Sequence, residues 1–181
     1  HAQSLVIASG GLTVPKIGTS PFGYRVAAQF GVPVVPTRPA LVPLAWDSAM
    51  LEQFGELAGV SMEVEVRCNG GEFHENLLFT HRGLSGPAIL QISSYWREGD
   101  EIEIDLLPRM DVQARLLDQQ TSRKQLHNLL AEMLPARLAQ RWCDLRGLTK
   151  PLNEITKQRL REVAQELQHW RVRPAGTLGY N

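Results

Sequence analysis

Alternating apolar and polar residues mark the middle of the chain as a small β region. Over residues 60–68, apolar side chains fall at every second position, the period of a strand with one face on a core. An Asn-Gly-Gly turn at residues 69–71 then leads to a second strand around Glu72 to Thr80. The same period returns at residues 101–106. The pattern therefore predicts three antiparallel strands around a common core.

From Pro108 onward the apolar spacing becomes helical. Leucines recur three and four residues apart, as on the buried side of an amphipathic helix. Ser122 to Gln125 fits a capping box, Pro135 can open the next helix, and Thr156 can cap the last one. The apolar stripe of that last helix extends to Trp170. These features predict three or four short helices.

The first part of the chain has a different pattern. Residues 5–8 are apolar without alternation, as in a strand buried on both faces, and they run into Gly10 and Gly11. A helix is predicted between Ser20 and Gly31, which completes one βα unit. Prolines then recur through residues 33–43 and favour an extended crossing segment, in which Val34 and Val35 are suited to burial.

These patterns predict an α+β fold in which a small β lobe is followed by a helical lobe. A βα unit precedes both. The predicted division is a βα unit at residues 1–31, a β lobe at 32–107, a helical lobe at 108–172 and a Gly/Pro tail at 173–181.

Composition limits the functional classes. The 181 residues have a formal net charge of zero, which argues against attraction to nucleic acid or to an anionic membrane. The two cysteines, Cys68 and Cys143, match no disulfide framework and no metal-ligand spacing, so we expect no metal site. No apolar run is long enough to cross a bilayer, and we expect a cytoplasmic protein.

Two stretches carry candidate chemistry. The strand-to-glycine junction at Gly10 and Gly11 would let a nucleotide approach the backbone, although a plain tight turn explains the same residues. The stretch Leu78 to Pro87 places His81 and Arg82 beside a glycine-bounded turn and a predicted helix start, where they could orient an anionic or carbonyl group. A histidine that bonds only to the backbone is the simpler reading. Ser85 lacks a GxSxG context and reads as a cap.

Together these stretches resemble one protein family. Ala8-Ser9-Gly10-Gly11-Leu12, Arg38-Pro39-Ala40-Leu41-Val42-Pro43-Leu44, residues 78–91 with their Phe-Thr-His-Arg-Gly-Leu-Ser-Gly-Pro core, and Ile104-Asp105-Leu106-Leu107-Pro108 are similar to bacterial NAD(P)/FAD-dependent oxidoreductases. That group includes aminoacetone oxidase-like and bile-acid oxidoreductase-like flavoproteins. The resemblance covers nearly the whole chain.

The resemblance implies a small β-barrel-like lobe, residues 32–107, followed by a helical lobe, residues 108–172, both inserted into a Rossmann-type FAD domain. Residues 1–31 would be a remnant of that domain, and residues 173–181 a return linker to it. Ser9 stands where the family usually has threonine. The family's GxGxxG and its closing glycine-rich segment are absent from this sequence. We therefore expect the chain to be the inserted part of a longer flavoprotein, inactive alone and without bound cofactor. FAD, and NAD(P)H as reductant, would belong to the longer protein.

The leading functional hypothesis is a domain that covers the flavin and shapes the pocket for a small-molecule substrate. Gly10 and Gly11 would contact the cofactor, and His81, Arg82 and Tyr24 would face the substrate; no motif assigns a catalytic residue. The expected partner is the rest of the FAD domain, with neither nucleic acid nor membrane, and the isolated chain could self-associate. The alternative is an independent barrel-and-helix binding module without catalysis.

Overall fold

The computed structural model describes residues 3–13 and 18–179. Seven strands form one antiparallel sheet in the order β6-β5-β2-β3-β4-β1-β7. Their bounds are β1 Leu44–Ala45, β2 Ser61–Cys68, β3 Gly71–Thr80, β4 Gly83–Ser85, β5 Ile102–Asp105, β6 Trp170–Val172 and β7 Gly176–Thr177.

Seven helices accompany the sheet in the described part of the chain. They are α1 Phe22–Gln29, α2 Ser48–Phe54, α3 Pro87–Ile92, α4 Val112–Asp118, α5 Leu126–Leu130, α6 Ala136–Leu145 and α7 Lys157–Gln168. Helices α4 to α7 lie between β5 and β6 in sequence, and α4 packs on α7 while α5 packs on α6. Two short 3₁₀ turns, Gly55–Leu57 and Leu152–Glu154, complete the elements.

The sheet has a barrel-like shape, as the short link between its two outer strands indicates. Strands β6 and β7 stand at opposite ends of the strand order, yet only residues 173–175 separate them. The four chain steps from Val172 to Gly176 span roughly 14 Å when fully extended, so the two edges lie near each other. The predicted α+β class, with a barrel-like sheet and helices, is confirmed.

The last two strands lie in residues that were expected to be helical lobe and linker. The sequence pattern placed residues up to 172 in helices and later residues in a Gly/Pro tail, but residues 170–177 return to the barrel sheet. The helical spacing misled because Leu167 and Trp170 are both buried, the first on α7 and the second on β6. Helix α7 ends at Gln168, and Trp170 pairs with Ile104 instead. The division into lobes is otherwise still a prediction.

A cluster of aromatic rings joins the barrel to the helices. Phe54, at the end of α2, lies 5.1 Å from Trp170, 5.9 Å from Trp46 and 6.4 Å from Trp142 between ring centroids. Phe79 of β3 stacks on Trp170 at 6.1 Å. Since Trp142 belongs to α6, sheet and helices share one buried core. Paired rings of this kind add favourable energy beyond the area they bury.

The predicted starts of α6 and α7 are confirmed, but the caps predicted at Ser85 and Ser122 are wrong. Ser85 lies in β4, and Gly86 is the N-cap of α3, which no side chain caps. The Thr156 hydroxyl accepts a hydrogen bond from the Arg159 N–H at 3.1 Å, and Pro135 immediately precedes α6, as predicted. The capping box at Ser122 does not form. Its hydroxyl accepts from the Lys124 N–H at 3.1 Å, and α5 begins only at Leu126. Ser122 therefore shapes a loop rather than a helix start.

The first part of the chain lies outside the core. Helix α1 forms about where predicted, but residues 5–8 are not a strand, and no residue is buried within 3–13 or 18–43. Val34 and Val35, expected to be buried, are 41% and 82% exposed. A strand buried on both faces needs neighbours on both sides, and the seven-stranded sheet offers none to this segment. Among the described residues, no helix has the length and apolarity to cross a membrane.

Candidate functional site

The stretch from Thr80 to Gly83 forms the tight turn between β3 and β4. The Thr80 hydroxyl donates to the Gly83 carbonyl oxygen at 3.0 Å and accepts from the Arg82 N–H at 3.2 Å. The Arg82 carbonyl accepts from the Trp46 N–H at 3.1 Å. These bonds fix the turn against the loop that follows β1, so its backbone is held in one shape.

Two glycines of this stretch are explained by packing. Gly83 has φ of +153°, and a Cβ there would overlap the Leu44 carbonyl oxygen of the neighbouring strand. Gly86 has φ of +88°, and a Cβ there would come within 2.6 Å of the Asn76 carbonyl oxygen. Only glycine allows these close approaches. The most motif-like part of the sequence therefore closes the sheet and starts α3, which forms at Pro87 as predicted.

His81 and Arg82 lie at the tip of this turn with both side chains exposed. Within the described residues, neither side chain has a hydrogen bond or ion pair. The simpler reading, in which the imidazole is used by a backbone hydrogen bond, therefore has no support in the structure. Both groups are available to an external ligand, and their place beside a substrate stays a prediction.

Gly10, Gly11 and Tyr24 come together at the other candidate position. Gly10 has φ of +75°, a conformation that side-chain-bearing residues rarely adopt. A Cβ on Gly11 would lie 3.5 Å from the Tyr24 hydroxyl oxygen. The structure thus groups Tyr24 with the two glycines, whereas the sequence analysis had grouped it with His81 and Arg82. No hydrogen bond or ion pair described for residues 3–13 and 18–179 joins the two groups.

The fit of these residues to FAD is partial. The open backbone at Gly10 and Gly11 suits close approach of a ribose or pyrophosphate, and the Tyr24 hydroxyl stands ready to donate. However, five well-formed cavities among the described residues have linings that include none of these three. They can supply contacts to a dinucleotide and do not by themselves form its pocket.

A cavity of about 500 Å³ lies between the crossing segment and the barrel, a feature that the sequence analysis missed. Its walls come from three distant segments: Pro36, Arg38, Pro39 and Ala40; Ser93, Ser94, Trp96, Arg97 and Glu98; and Gly176 and Thr177. No local pattern links residues so far apart in sequence. Its volume suits a small polar molecule or a single nucleobase.

One wall of this cavity is held rigidly. The Trp96 indole N–H donates to the Asp100 carbonyl oxygen at 2.9 Å, while the Arg97 guanidinium donates to three consecutive carbonyls, including that of Tyr95 at 2.9 Å. The Ser93 hydroxyl accepts from the Val42 N–H at 3.0 Å and so ties the crossing segment to α3. Arg38 faces this wall without a described partner. The cavity therefore has one cation free to bind an anionic or carbonyl group.

Carboxyl and thiol groups with displaced pKa values lie outside these sites. Burial raises the pKa of the Asp105 carboxyl at the end of β5, and the Leu107 N–H partly counteracts it. A hydrogen bond from His169 holds the pKa of Glu103 below its usual value. Burial raises the pKa of the Cys143 thiol to about 12. These shifts reflect packing between sheet and helices. The described part of the chain contains no cluster of three metal-ligating side chains.

Charge is divided sharply between the two parts of the molecule. Residues 32–107 carry twelve Asp and Glu against four Lys and Arg, a net charge of −8. Residues 108–172 carry seven against twelve, a net charge of +5. The formal total of zero therefore conceals an acidic barrel region and a basic helical region.

Comparison with known proteins identifies the relatives of this fold. A family model described as "HI0933-like protein barrel and H2TH domain" matches residues 38–181. A ribosomal RNA dihydrouridine synthase of Escherichia coli is 46% identical over 98% of this chain and 46% of its own length. A protein of the same name from Haemophilus influenzae is 39% identical over 99% of this chain and 46% of its own length. The chain thus spans about half the length of these curated relatives.

These findings refine the sequence analysis in one respect and overturn it in another. The general resemblance to a family of FAD-related proteins is confirmed, but the curated relatives are not named as aminoacetone oxidases or bile-acid oxidoreductases. The expectation of no nucleic-acid partner is wrong, because both relatives carry the name of an RNA-modifying enzyme. That expectation rested on the total charge, in which opposite regional charges cancel.

Proposed function

Since the chain belongs to the family of the HI0933-like barrel and H2TH domain, we propose that it is the barrel-and-helix part of a flavin-dependent enzyme that reduces uridine in ribosomal RNA. The observation that carries this proposal is the 46% identity, over 98% of the chain, to a ribosomal RNA dihydrouridine synthase. The same name recurs in a second relative at 39% identity.

The proposed reaction requires a two-electron reductant. Dihydrouridine is uridine in which the C5–C6 double bond has gained a hydride and a proton. A reduced FAD supplies such a hydride when bound, and NAD(P)H would restore the reduced flavin. The role of this chain would be to contact the cofactor through Gly10 and Gly11, with the Tyr24 hydroxyl beside them.

The exposed apolar residues of the first part of the chain support a neighbouring flavin-binding part. Among the described residues, ten of the twelve large exposed apolar side chains lie between Leu5 and Leu41. Patches of this kind mark interaction surfaces. We propose that the rest of the FAD domain covers them in the whole enzyme, whose relatives are about twice as long as this chain.

The turn between β3 and β4 is the proposed contact with the target nucleotide. His81 has an exposed imidazole, which can hydrogen-bond to a base, and Arg82 has an exposed guanidinium, which suits a phosphate or a base carbonyl. The exposure of both side chains on a rigid turn supports this contact. A role for the turn in proton transfer is part of the proposal.

The direct test uses the whole enzyme that contains these residues. The purified protein is incubated with unmodified ribosomal RNA and NADPH or NADH, and the digested nucleosides are analysed by mass spectrometry. The proposal predicts bound FAD and a uridine heavier by two hydrogens. RNA binding without flavin or reduction would instead favour the independent binding module.

Two matched histidine variants test the turn. His81→Ala should lower the rate of dihydrouridine formation or raise the KM for RNA, because it removes an exposed group from the proposed contact. His127→Ala is the control, since His127 lies on α5, away from the barrel turn. Wild-type kcat and KM in both variants would leave His81 with no role in the reaction.

A further inference from the structure

Four basic side chains of the helical region have no partner among residues 3–13 and 18–179. Arg123, Lys150, Lys157 and Arg161 are exposed, and they make no hydrogen bond or ion pair with any described residue. We call these four residues the basic face. Across residues 32–107, by contrast, only four Lys and Arg stand among twelve Asp and Glu.

The other cations of the helical region are all engaged. Most are bound to carboxylates, and the rest are bound to backbone carbonyls or to a histidine. The pairs are Arg115 and Lys124 with Glu132, Arg141 with Glu56, Arg146 and Arg159 with Glu166, Arg171 with Glu103, Arg137 with the Glu56 and Ala58 carbonyls, and Arg109 with His74. The contrast sets the basic face apart from cations that serve the fold.

Backbone hydrogen bonds bring the segments of the basic face side by side. The Leu152 N–H donates to the Lys124 carbonyl at 2.9 Å, and the Asn153 N–H donates to the Ser122 carbonyl at 3.0 Å. A bridge between Gln125 and Pro151 continues this pairing. The loop that carries Arg123 is therefore fixed against the loop that follows Lys150.

Helix α7 adds the remaining two cations. Lys157 and Arg161 are four residues apart and so share one side of the helix. Leu160 and Ala164 are buried toward the core. Glu154, in the turn just before α7, is the exposed carboxylate of this neighbourhood without a described partner. Four free cations against one free carboxylate leave the surface positively charged.

We propose that the basic face binds the phosphate backbone of the RNA substrate. This inference rests on the proposed function for its choice of polyanion. Exposed, unpaired Lys and Arg on a fixed surface are the groups that neutralise phosphates and release their counterions. The acidic barrel region repels the same backbone, so RNA is held on the helical side and reaches the barrel only at a restricted contact.

The test compares two variants that each lose four positive charges. One carries Arg123→Gln, Lys150→Gln, Lys157→Gln and Arg161→Gln. The control carries Arg25→Gln, Arg67→Gln, Arg171→Gln and Arg173→Gln, all remote from the basic face. Binding of a fluorescein-labelled 30-nucleotide RNA hairpin to the full chain is followed by anisotropy from 50 to 300 mM salt, with circular dichroism to confirm folding.

The proposal predicts a specific loss in the first variant. Its affinity should fall on the order of tenfold or more, and its slope of log affinity against log salt should become shallower by about 3, because four phosphate contacts are removed. The control should keep a slope near that of the wild type. An equal loss of RNA affinity in both variants, or no loss in the first, would overturn the proposal that the basic face binds RNA.

Two further outcomes separate this inference from the proposed function. A wild-type chain that binds vesicles of phosphatidylserine and phosphatidylcholine but not the hairpin would assign the surface to membranes and overturn the RNA contact. A whole enzyme that carries the first variant and forms dihydrouridine at the wild-type KM would keep the function and overturn the basic face. If RNA binding depends on the basic face but the wild-type enzyme forms no dihydrouridine, the role of the basic face is kept and the proposed function is overturned.

Discussion

Residues 3–43 and residues 44–179 differ in how far their described apolar side chains are exposed. In the first region no described residue is buried, and Val6, Phe30 and Val35 are 86%, 70% and 82% exposed. In the second, one core contains side chains from the sheet and from six helices. Both regions have apolar residues at regular spacing, yet only the second provides partners for them.

The difference shows that an apolar pattern predicts burial of a segment but does not identify the surface that covers it. Residues 5–8 read as a buried strand, and α1 forms as a helix. Ile7 lies close to Gly23 of that helix, but no described residue of either segment is buried. A buried apolar residue contributes to the stability of this fold, whereas an exposed one is free to stabilise contact with another surface. Substitutions should therefore have very different effects in the two regions.

The largest effect is expected at Gly83. A Cβ there would overlap the Leu44 carbonyl oxygen, so Gly83→Ala should break the pairing of β1 with β4. We expect a loss of more than about 4 kcal/mol in the free energy of unfolding, or failure to fold. Urea denaturation followed by tryptophan fluorescence measures it.

Gly59 is the matched control. It has φ of +88° with no atom near an added Cβ, so Gly59→Ala should cost only backbone strain of about 1 kcal/mol. Similar losses for the two variants would show that the contact with β1 does not explain the requirement for glycine at position 83.

The next effect compares two phenylalanines. Phe54 is 2% exposed within the aromatic cluster, and Phe54→Ala should lower the free energy of unfolding by about 3–5 kcal/mol through cavity formation. Phe30 is 70% exposed, and Phe30→Ala should change it by less than about 0.5 kcal/mol. Equal losses at the two positions would remove the distinction between the regions.

A smaller effect is expected at Glu166, which links α6 and α7. Burial raises the pKa of its carboxyl, but hydrogen bonds from Arg146 and Arg159 more than offset this, so the pKa lies below its usual value of 4.5. Glu166→Gln should cost about 1 kcal/mol at pH 7, after allowance for partial exposure.

The pH dependence of that loss has a definite sign. The folded state binds the Glu166 proton more weakly than the unfolded state, so its contribution is complete above pH 4.5 and disappears as the pH falls through the lower folded pKa. The gap between the wild type and Glu166→Gln in urea denaturation should close with acid. Glu98→Gln, at an exposed residue, is the control and should show no gap. A gap that does not narrow as the pH falls below 4.5 would contradict this assignment.

The smallest change in stability should accompany Val35→Asp, although it should alter association. Val35 is 82% exposed in the apolar first region, and a charge there opposes contact between copies of the chain. Light scattering should show less self-association than in the wild type. Glu98→Gln serves again as the control. Unchanged association in Val35→Asp would show that this patch takes no part in contact between copies of the chain.

Much of the second region could be predicted because its signals are local. The alternation of β2, β3 and β5, the proline before α6 and the Thr156 cap each depend on neighbouring residues. Strands β1, β4 and β7 could not be predicted. They are two or three residues long, and their pairing is decided by distant backbone such as that of Leu44 against Gly83.

The candidate sites follow the same division. The chemistry of His81 and Arg82 and the flexibility of Gly10 could be identified by residue type, and the structure places each on a turn or loop. The cavity beside Arg38 could not be found, because three distant segments form it. The regional charges were countable from the sequence, but the total of zero concealed them.

One measurement tests the contrast between the two regions most directly. A chain that lacks residues 1–31 should retain the free energy of unfolding of the full chain within about 0.5 kcal/mol, because none of the described residues in that segment is buried. Urea denaturation followed by tryptophan fluorescence compares the two, since all four tryptophans remain. A loss of more than about 2 kcal/mol would show that the first region belongs to the fold, and would contradict its role as a surface for another part of the enzyme.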